Sequence, residues 1–225
     1  MTEILSGIHW IEDVSANSYI VIEDVLMLID TGMPRNAKKI LDYISNKLGR
    51  QPSDLKTIVL THCHIDHAGS ACELRRLTNA KVAIHQGDAD FIAGRKTMPV
   101  SKGAISILLK AFSPFFKFTP VQPDITLKEN DKVGRLKVIH TPGHTPGSIS
   151  LYDPDRKILF SGDTVRFIKG KIEGSPKSFT LDMHLARQSI EKISQLDFDV
   201  MLSGHGEPLK PNASSRVKEF YGSLE

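Results

Sequence analysis

The sequence predicts an α/β protein in which two sheets pack together with helices outside, as a single domain over residues 1–225. Three observations predict it. Clusters of short strands followed by helices occur twice along the chain, the pattern of stacked sheets covered by helices. A length of 225 residues with 40 % hydrophobic and 24 % charged content suits one globule with a substantial core. No residue-level repeat or low-complexity tract interrupts this organisation.

The first half opens with short strands in NSYIVIEDVLMLID, where Glu23 and Asp24 turn between two apolar runs. Residues 35 to 48 read as a helix, with Ile40, Leu41, Ile44 and Leu48 forming one apolar stripe and Gly49 stopping it. A buried strand over residues 56 to 60 runs into THCHIDHAG. ACELRRL is helical, KVAIH is a strand, and a short helix starts near Gly87. The second half repeats this sense. LKVIH, SISLYD and KILFSGD are strands separated by Pro and Gly turns, LDMHLARQSIEKISQL is a helix, and DVMLSG is a last strand ending at His205.

Between the halves, residues 95–123 are basic, apolar and rich in proline. A connection of that length in a compact domain serves as a lid, a dimer contact or a membrane-facing patch. The net charge is only +3, yet no acidic residue falls between Asp90 and Asp124, while Arg95, Lys96, Lys102, Lys110 and Lys117 do. This is either a solvated face or a positive wall for an anionic substrate. The N-terminal stretch MTEILSGIHWIED has no basic start followed by a sustained apolar run, so no secretory signal is expected. Lys110 and Lys117 interrupt the greasiest region, so no membrane span is expected either, and the expected location is the cytoplasm. The two cysteines, Cys63 and Cys72, are too few for a disulfide framework.

THCHIDHAG places four candidate metal ligands within six positions. His62 and His64, at i and i+2 of an extended segment, point to one side and can share an ion; Cys63 points away. Asp66 and His67 follow where the chain turns into a helix and can face a second point nearby. Neutral imidazole and carboxylate are donors that zinc accepts. Other candidates sit at strand ends beside Gly or Pro: His144 in HTPGHTPGS, Asp163 in FSGDT, His205 in LSGHG and Asp30 in LIDTG. Strand ends converging at one rim of a sheet are a natural place for a site.

With LIDTG, THCHIDHAG, HTPGHTPGS, SGDT and SGHG in this order, nearly the whole chain resembles the metallo-β-lactamase superfamily of metal-dependent hydrolases. The resemblance implies an αββα sandwich of two mixed sheets with two divalent metal ions at one edge, zinc first, with iron or manganese also suited to these donors. It implies that His62, His64 and His144 hold the first ion, that Asp66, His67 and His205 hold the second, that Asp163 bridges them, and that Asp30 supports the ligands from behind. His140 is expected to be structural or to support the ligands from behind, and His9, His85 and His184 to have surface or core roles.

The chemistry so implied is hydrolysis by a metal-bridging hydroxide, with Asp66 as the catalytic group that orients it or receives its proton. A bridging carboxylate at Asp163 separates the thioesterase, lactonase and phosphodiesterase branches from the lactam-cleaving one. Among these branches the chain is similar to the glyoxalase II type, which hydrolyses S-acylglutathione thioesters. That enzyme carries a helical glutathione-binding region after its last metal histidine, whereas twenty residues follow His205 here. The expectation is therefore a small thioester, lactone or related ester as substrate, possible dimerisation with a second copy, and no nucleic acid. A persulfide dioxygenase with one iron, and a phosphodiesterase, are the alternatives. Arg166, with Lys169 and Lys171, either binds a substrate anion or forms a solvated basic loop.

Overall fold

The computed structural model describes residues 2–12, 14–97 and 118–224. One sheet contains seven strands in chain order: β1 (Thr2–Leu5), β2 (Ile8–Ile11), β3 (Ser18–Ile22), β4 (Leu26–Ile29), β5 (Leu55–Leu60), β6 (Lys81–His85) and β7 (Ile125–Leu127). The first four pair antiparallel, and β4 to β7 pair parallel. The second sheet holds β8 (Lys132–Val133), β9 (Leu136–His140), β10 (Ile149–Asp153), β11 (Ile158–Gly162) and β14 (Val200–Ser203), in the order β14-β11-β10-β9-β8. Its β11–β14 pair is parallel and the others are antiparallel, so both sheets are mixed, as expected. A separate hairpin joins β12 (Val165–Ile168) to β13 (Lys171–Gly174).

The side-chain alternation of each strand divides its apolar residues between two cores. Tyr19 and Val21 of β3 face the other sheet, where they meet Leu151, Phe160 and Leu202; Ile20 between them faces the helices. In the same way Val59 enters the inter-sheet core while Ile58 and Leu60 face outward to the helices. In the second sheet Phe160 and Leu202 turn inward and Leu159 and Met201 turn outward. Burial on both faces is why these strands read as nearly continuous apolar runs.

Helices α1 (Ala37–Asn46), α3 (Ala71–Thr78) and α4 (Gln86–Ile92) cover the first sheet through Ile40, Ile44, Leu74 and Ile92. α5 (Met183–Ser194) and α6 (Ala213–Gly222) cover the second through Ile190, Ile193 and Val217. The four layers are the αββα sandwich. α1 is shorter than the apolar stripe of residues 35 to 48 suggests, because Leu48 packs from the turn beyond its end. The proposed insertion at 95–123 falls mostly on residues 98–117, outside the described residues. Its flanks return to the body: Val121 is buried in the helix-side core, and Arg95 bonds Asp90 and Gln122. Among the described residues no helix is long and apolar enough to cross a membrane.

Candidate metal centre

The segments bearing the candidate ligands leave the carboxyl ends of strands, all at one edge of the sandwich. Asp30 follows β4, the 61–69 loop follows β5, residues 141–148 follow β9, Asp163 follows β11, and His205 follows β14. Backbone bonds join these ends, the first across the two sheets and the second within the second sheet. The Ile149 amide donates to the Thr61 carbonyl (2.9 Å), and the Gly204 amide to the Gly162 carbonyl (2.8 Å).

The structure brings all seven predicted ligands together. They form three overlapping groups: His62, His64 and His144; His62, His67 and Asp163; and Asp66, His67 and His205. Within each group the ligand atoms lie within 4.8 Å of one another. Asp163 is central. Its Oδ1 is 3.5 Å from His67 Nε2, while Oδ2 is 3.6 Å from His144 Nε2 and 3.5 Å from His205 Nε2. Asp66 Oδ2 lies 3.3 Å from His205 Nε2.

Residues behind the ligands set which ring nitrogen faces inward. Thr61 Oγ1 donates to Asp30 Oδ2 (2.7 Å), so it accepts from His62 Nδ1 (3.1 Å) and leaves Nε2 facing the cluster. Thr180 Oγ1 donates to the Pro176 carbonyl (2.8 Å) and can accept from His144 Nδ1 (3.4 Å), with the same result for His144. His67 Nδ1 lies 2.8 Å from Asp30 Oδ2, and its Nε2 faces inward. Asp30 itself adopts a left-handed φ of 58°, held by the Thr61 amide on Oδ1 (2.8 Å).

Three observations fit these residues to a cation. First, His62 Nε2, His67 Nε2 and Asp163 Oδ1 are buried with no hydrogen-bond partner, and all three are the atoms turned toward the cluster. Buried polar atoms left so are costly unless something else pairs with them. Second, burial and neighbouring imidazoles hold His62 well below the ordinary histidine range, and burial brings His144 down to about 3, so both present neutral lone pairs. Burial alone would lower His67, but Asp66, Asp30 and Asp163 outweigh it and raise it to about 10: the carboxylates favour positive charge at that point. Burial likewise opposes ionisation of Asp66, yet His67 and His205 hold it well below the usual carboxylate range. Third, the floor has no spare room. A Cβ on Gly204 would stand 2.4 Å from Asp163 Oδ1 and 2.7 Å from His67 Cε1.

Sequence reasoning missed Asp88, at the start of α4. It is fully buried and accepts from the Cys63 amide (2.9 Å), Thr145 Oγ1 (2.6 Å) and the Gly147 amide (2.7 Å). One carboxylate thus joins the loop carrying His62 and His64 to the loop carrying His144. Cys63 is buried in the helix-side core, turned from the ligands as its alternation predicts, and Ile65 opens α2 (Ile65–Ala68) half-buried. His140 stacks on His85 (4.0 Å between ring centroids) and lies outside the three groups. The basic stretch after Asp163 is the β12–β13 hairpin. Arg166 is half-buried, pairs with Glu173 at 3.2 Å and leaves Nε without a partner.

An αββα sandwich whose strand ends converge on overlapping histidine and aspartate groups defines a metal-binding α/β class. The chain belongs to the metallo-β-lactamase superfamily, whose model matches residues 11–205. It is 32 % identical over 231 residues to the probable metallo-hydrolase YflN of Bacillus subtilis, covering 92 % of this chain and 86 % of the relative. It is 34 % identical over 184 residues to the acyl-coenzyme A thioesterase MBLAC2 of Bos taurus, covering 71 % of this chain but 63 % of the thioesterase. Among solved structures, the metallo-β-lactamase family protein TTHA1429 of Thermus thermophilus superposes with a TM-score of 0.75 at 22 % identity, over 99 % of this chain and 80 % of the other. TTHA1623 in a di-iron-bound form gives 0.70 at 23 % identity, over 95 % and 98 %. At these identities the structural likeness concerns the fold alone.

Proposed function

We propose that this protein is a hydrolase with a dinuclear metal centre, cleaving small thioesters, lactones or related esters, with acyl thioesters foremost. The observation that carries this reading is the placement of the Asp163 carboxylate, one oxygen toward His67 and the other toward His144 and His205. In this reading His62, His64 and His144 hold one ion, Asp66, His67 and His205 the other, and Asp163 serves both. Asp30 holds the His67 ring. Zinc is the first candidate, with iron and manganese suited to the same donors. When bound, a pair of divalent ions supplies a shared water of near-neutral pKa and polarises the oxygen under attack.

The chain's own groups divide the remaining work. The Asp163 side chain is 6 % exposed and belongs to the floor, whereas those of Asp66 and His205, at 33 % and 27 %, face the side that substrate enters. Asp66, ionised and open, takes the proton given up by the attacking water. The new bond joins that water's oxygen to the acyl carbon, the carbon–sulfur bond breaks, and the leaving sulfur takes the proton that Asp66 held, so that thiol and carboxylic acid are released and Asp66 is ionised again. Arg166 and the exposed Lys169 and Lys171 of the hairpin suit an anionic arm on the substrate. The resemblance to an acyl-coenzyme A thioesterase supports the choice of thioesters.

A panel of thioesters, lactones and phosphodiesters, with metal content measured on the same sample, tests the reading. The expected result is about two divalent ions per chain and fastest turnover on thioesters. Asp66→Asn should lower turnover by about 10³-fold or more with the fold retained by circular dichroism. One iron per chain with oxygen consumption on a persulfide would overturn it.

A further inference from the structure

Among the described residues, six large hydrophobic side chains are exposed, and four of them, Phe179, Leu181, Met183 and Leu185, fall within seven positions of the chain. Scattered exposed apolar residues are ordinary; a concentrated group signals contact with something apolar. This group is built onto the candidate metal centre. Phe179 and Leu181 flank Thr180, the residue set behind the His144 ring. The Leu181 and Asp182 amides both donate to the Gly143 carbonyl at 3.0 Å, one residue before that ligand. Asp182 then caps α5 through the His184 and Leu185 amides, and Ser189 donates to the Pro142 carbonyl. The backbone is therefore held along its length while its apolar side chains are left in water.

We propose that the ridge formed by Phe179, Leu181 and Met183 binds the apolar acyl chain of the substrate, making this a hydrolase of medium- or long-chain acyl thioesters. The inference rests on the hydrolase reading above and adds the substrate class. Position supports the acyl part as the occupant. The hairpin that precedes the ridge starts just after Asp163 and returns to it, with Ser175 Oγ donating to the Asp163 carbonyl at 2.7 Å. Its Phe167 pairs with Gly206, beside His205. The centre is thus bordered by the cationic hairpin on the His205 side and by the apolar ridge on the His144 side. An acyl thioester with an anionic thiol arm has the same two-ended polarity. Its carbonyl carbon is the point at which the two ends meet.

The test is a series of acyl thioesters from acetyl to dodecanoyl, with thiol release followed for the wild type and for a Phe179→Ser, Leu181→Ser, Met183→Ser variant. Each CH2 brought out of water contributes about 0.8 kcal/mol, so wild-type kcat/KM should rise about fourfold per added CH2 until the ridge is covered. In the variant the slope should flatten, with a loss that grows with chain length to about tenfold or more for dodecanoyl, expressed chiefly in KM. Binding of a non-hydrolysable S-dodecyl thioether, measured by calorimetry on both proteins, gives a readout that needs no turnover. Weaker thioether binding to the variant without hydrolysis of any thioester by the wild type would retain the ridge and sink the hydrolase reading. A flat wild-type chain-length profile, or equal thioether binding by both proteins, would overturn the acyl-chain assignment. So would a wild-type dimer that the variant converts to a monomer in light scattering, or wild-type binding to phosphatidylcholine vesicles that the variant loses, since the ridge would then serve a second copy or a membrane.

Discussion

The two halves of the molecule contribute to the centre in opposite ways. The first half delivers His62, His64, Asp66 and His67 from a single loop, so their spacing is largely set by local backbone geometry. The second half delivers His144, Asp163 and His205 from three separate strand ends, so their positions depend on the pairing of β9, β11 and β14. Local geometry tolerates disturbance elsewhere; geometry assembled by the sheet does not. The site is accordingly most vulnerable where second-half backbone touches the ligands directly.

Gly204→Ala attacks that point and should have the largest effect on this comparison, below only the loss expected for Asp66→Asn. Its methyl group would force Asp163 and His67 apart, and a misplacement of about 1 Å can cost about 10²-fold in turnover. Metal content should fall with it while circular dichroism stays native; full occupancy with full activity would show that the floor yields more easily than its contacts imply.

Asp88→Ala cuts the joint between the two halves instead. It leaves the Cys63 and Gly147 amides and the Thr145 hydroxyl without their acceptor, at a cost of about 3 kcal/mol, read as a melting temperature lower by roughly 6–12 °C. If the joint also sets the spacing of the two loops, added zinc should restore less of that loss than it adds to the wild type. Equal recovery in both proteins would assign Asp88 to stability alone.

A pH effect, small per unit of pH, sharpens the electrostatics of the first-half loop. Folding raises His67 from an ordinary 6.5 to about 10, so the metal-stripped protein holds a proton there that the unfolded chain releases. The associated stability is complete below pH 6.5 and disappears as pH rises through about 10. Its slope is at most about 1.4 kcal/mol per pH unit. Melting temperatures of chelator-treated protein should therefore fall across that window, and those of metal-loaded protein should fall less, because a bound cation replaces the proton. Parallel profiles would contradict the role given to the three carboxylates around His67.

The same asymmetry explains what could be read from the sequence. The 61–69 loop was legible because four donors stand side by side, and the distant ligands because Gly or Pro beside each marks a strand end. The main strands were legible because burial on both faces makes them continuously apolar. β1 and β2 are four residues each and were too short to stand out. The β12–β13 hairpin mixes apolar and basic residues and resembled a loop, while α6, ASSRVKEFYG, buries only Ala213 and Val217 and shows little of a stripe. Asp88 had no signal at all: its partners are two backbone amides and a threonine far along the chain. Carboxylates that organise backbone leave no motif, because what they recognise has no sequence.

The segment from Thr164 to Leu185 has one further consequence. It departs next to Asp163, returns to Asp163 through Ser175, and rejoins the body at Gly143, yet supplies none of the seven candidate ligands. It behaves as an exchangeable faceplate bolted to a permanent frame. Its length, charge and greasiness can drift while the frame keeps its geometry, so kindred chains could share one hydrolytic engine and still part company over what they hydrolyse.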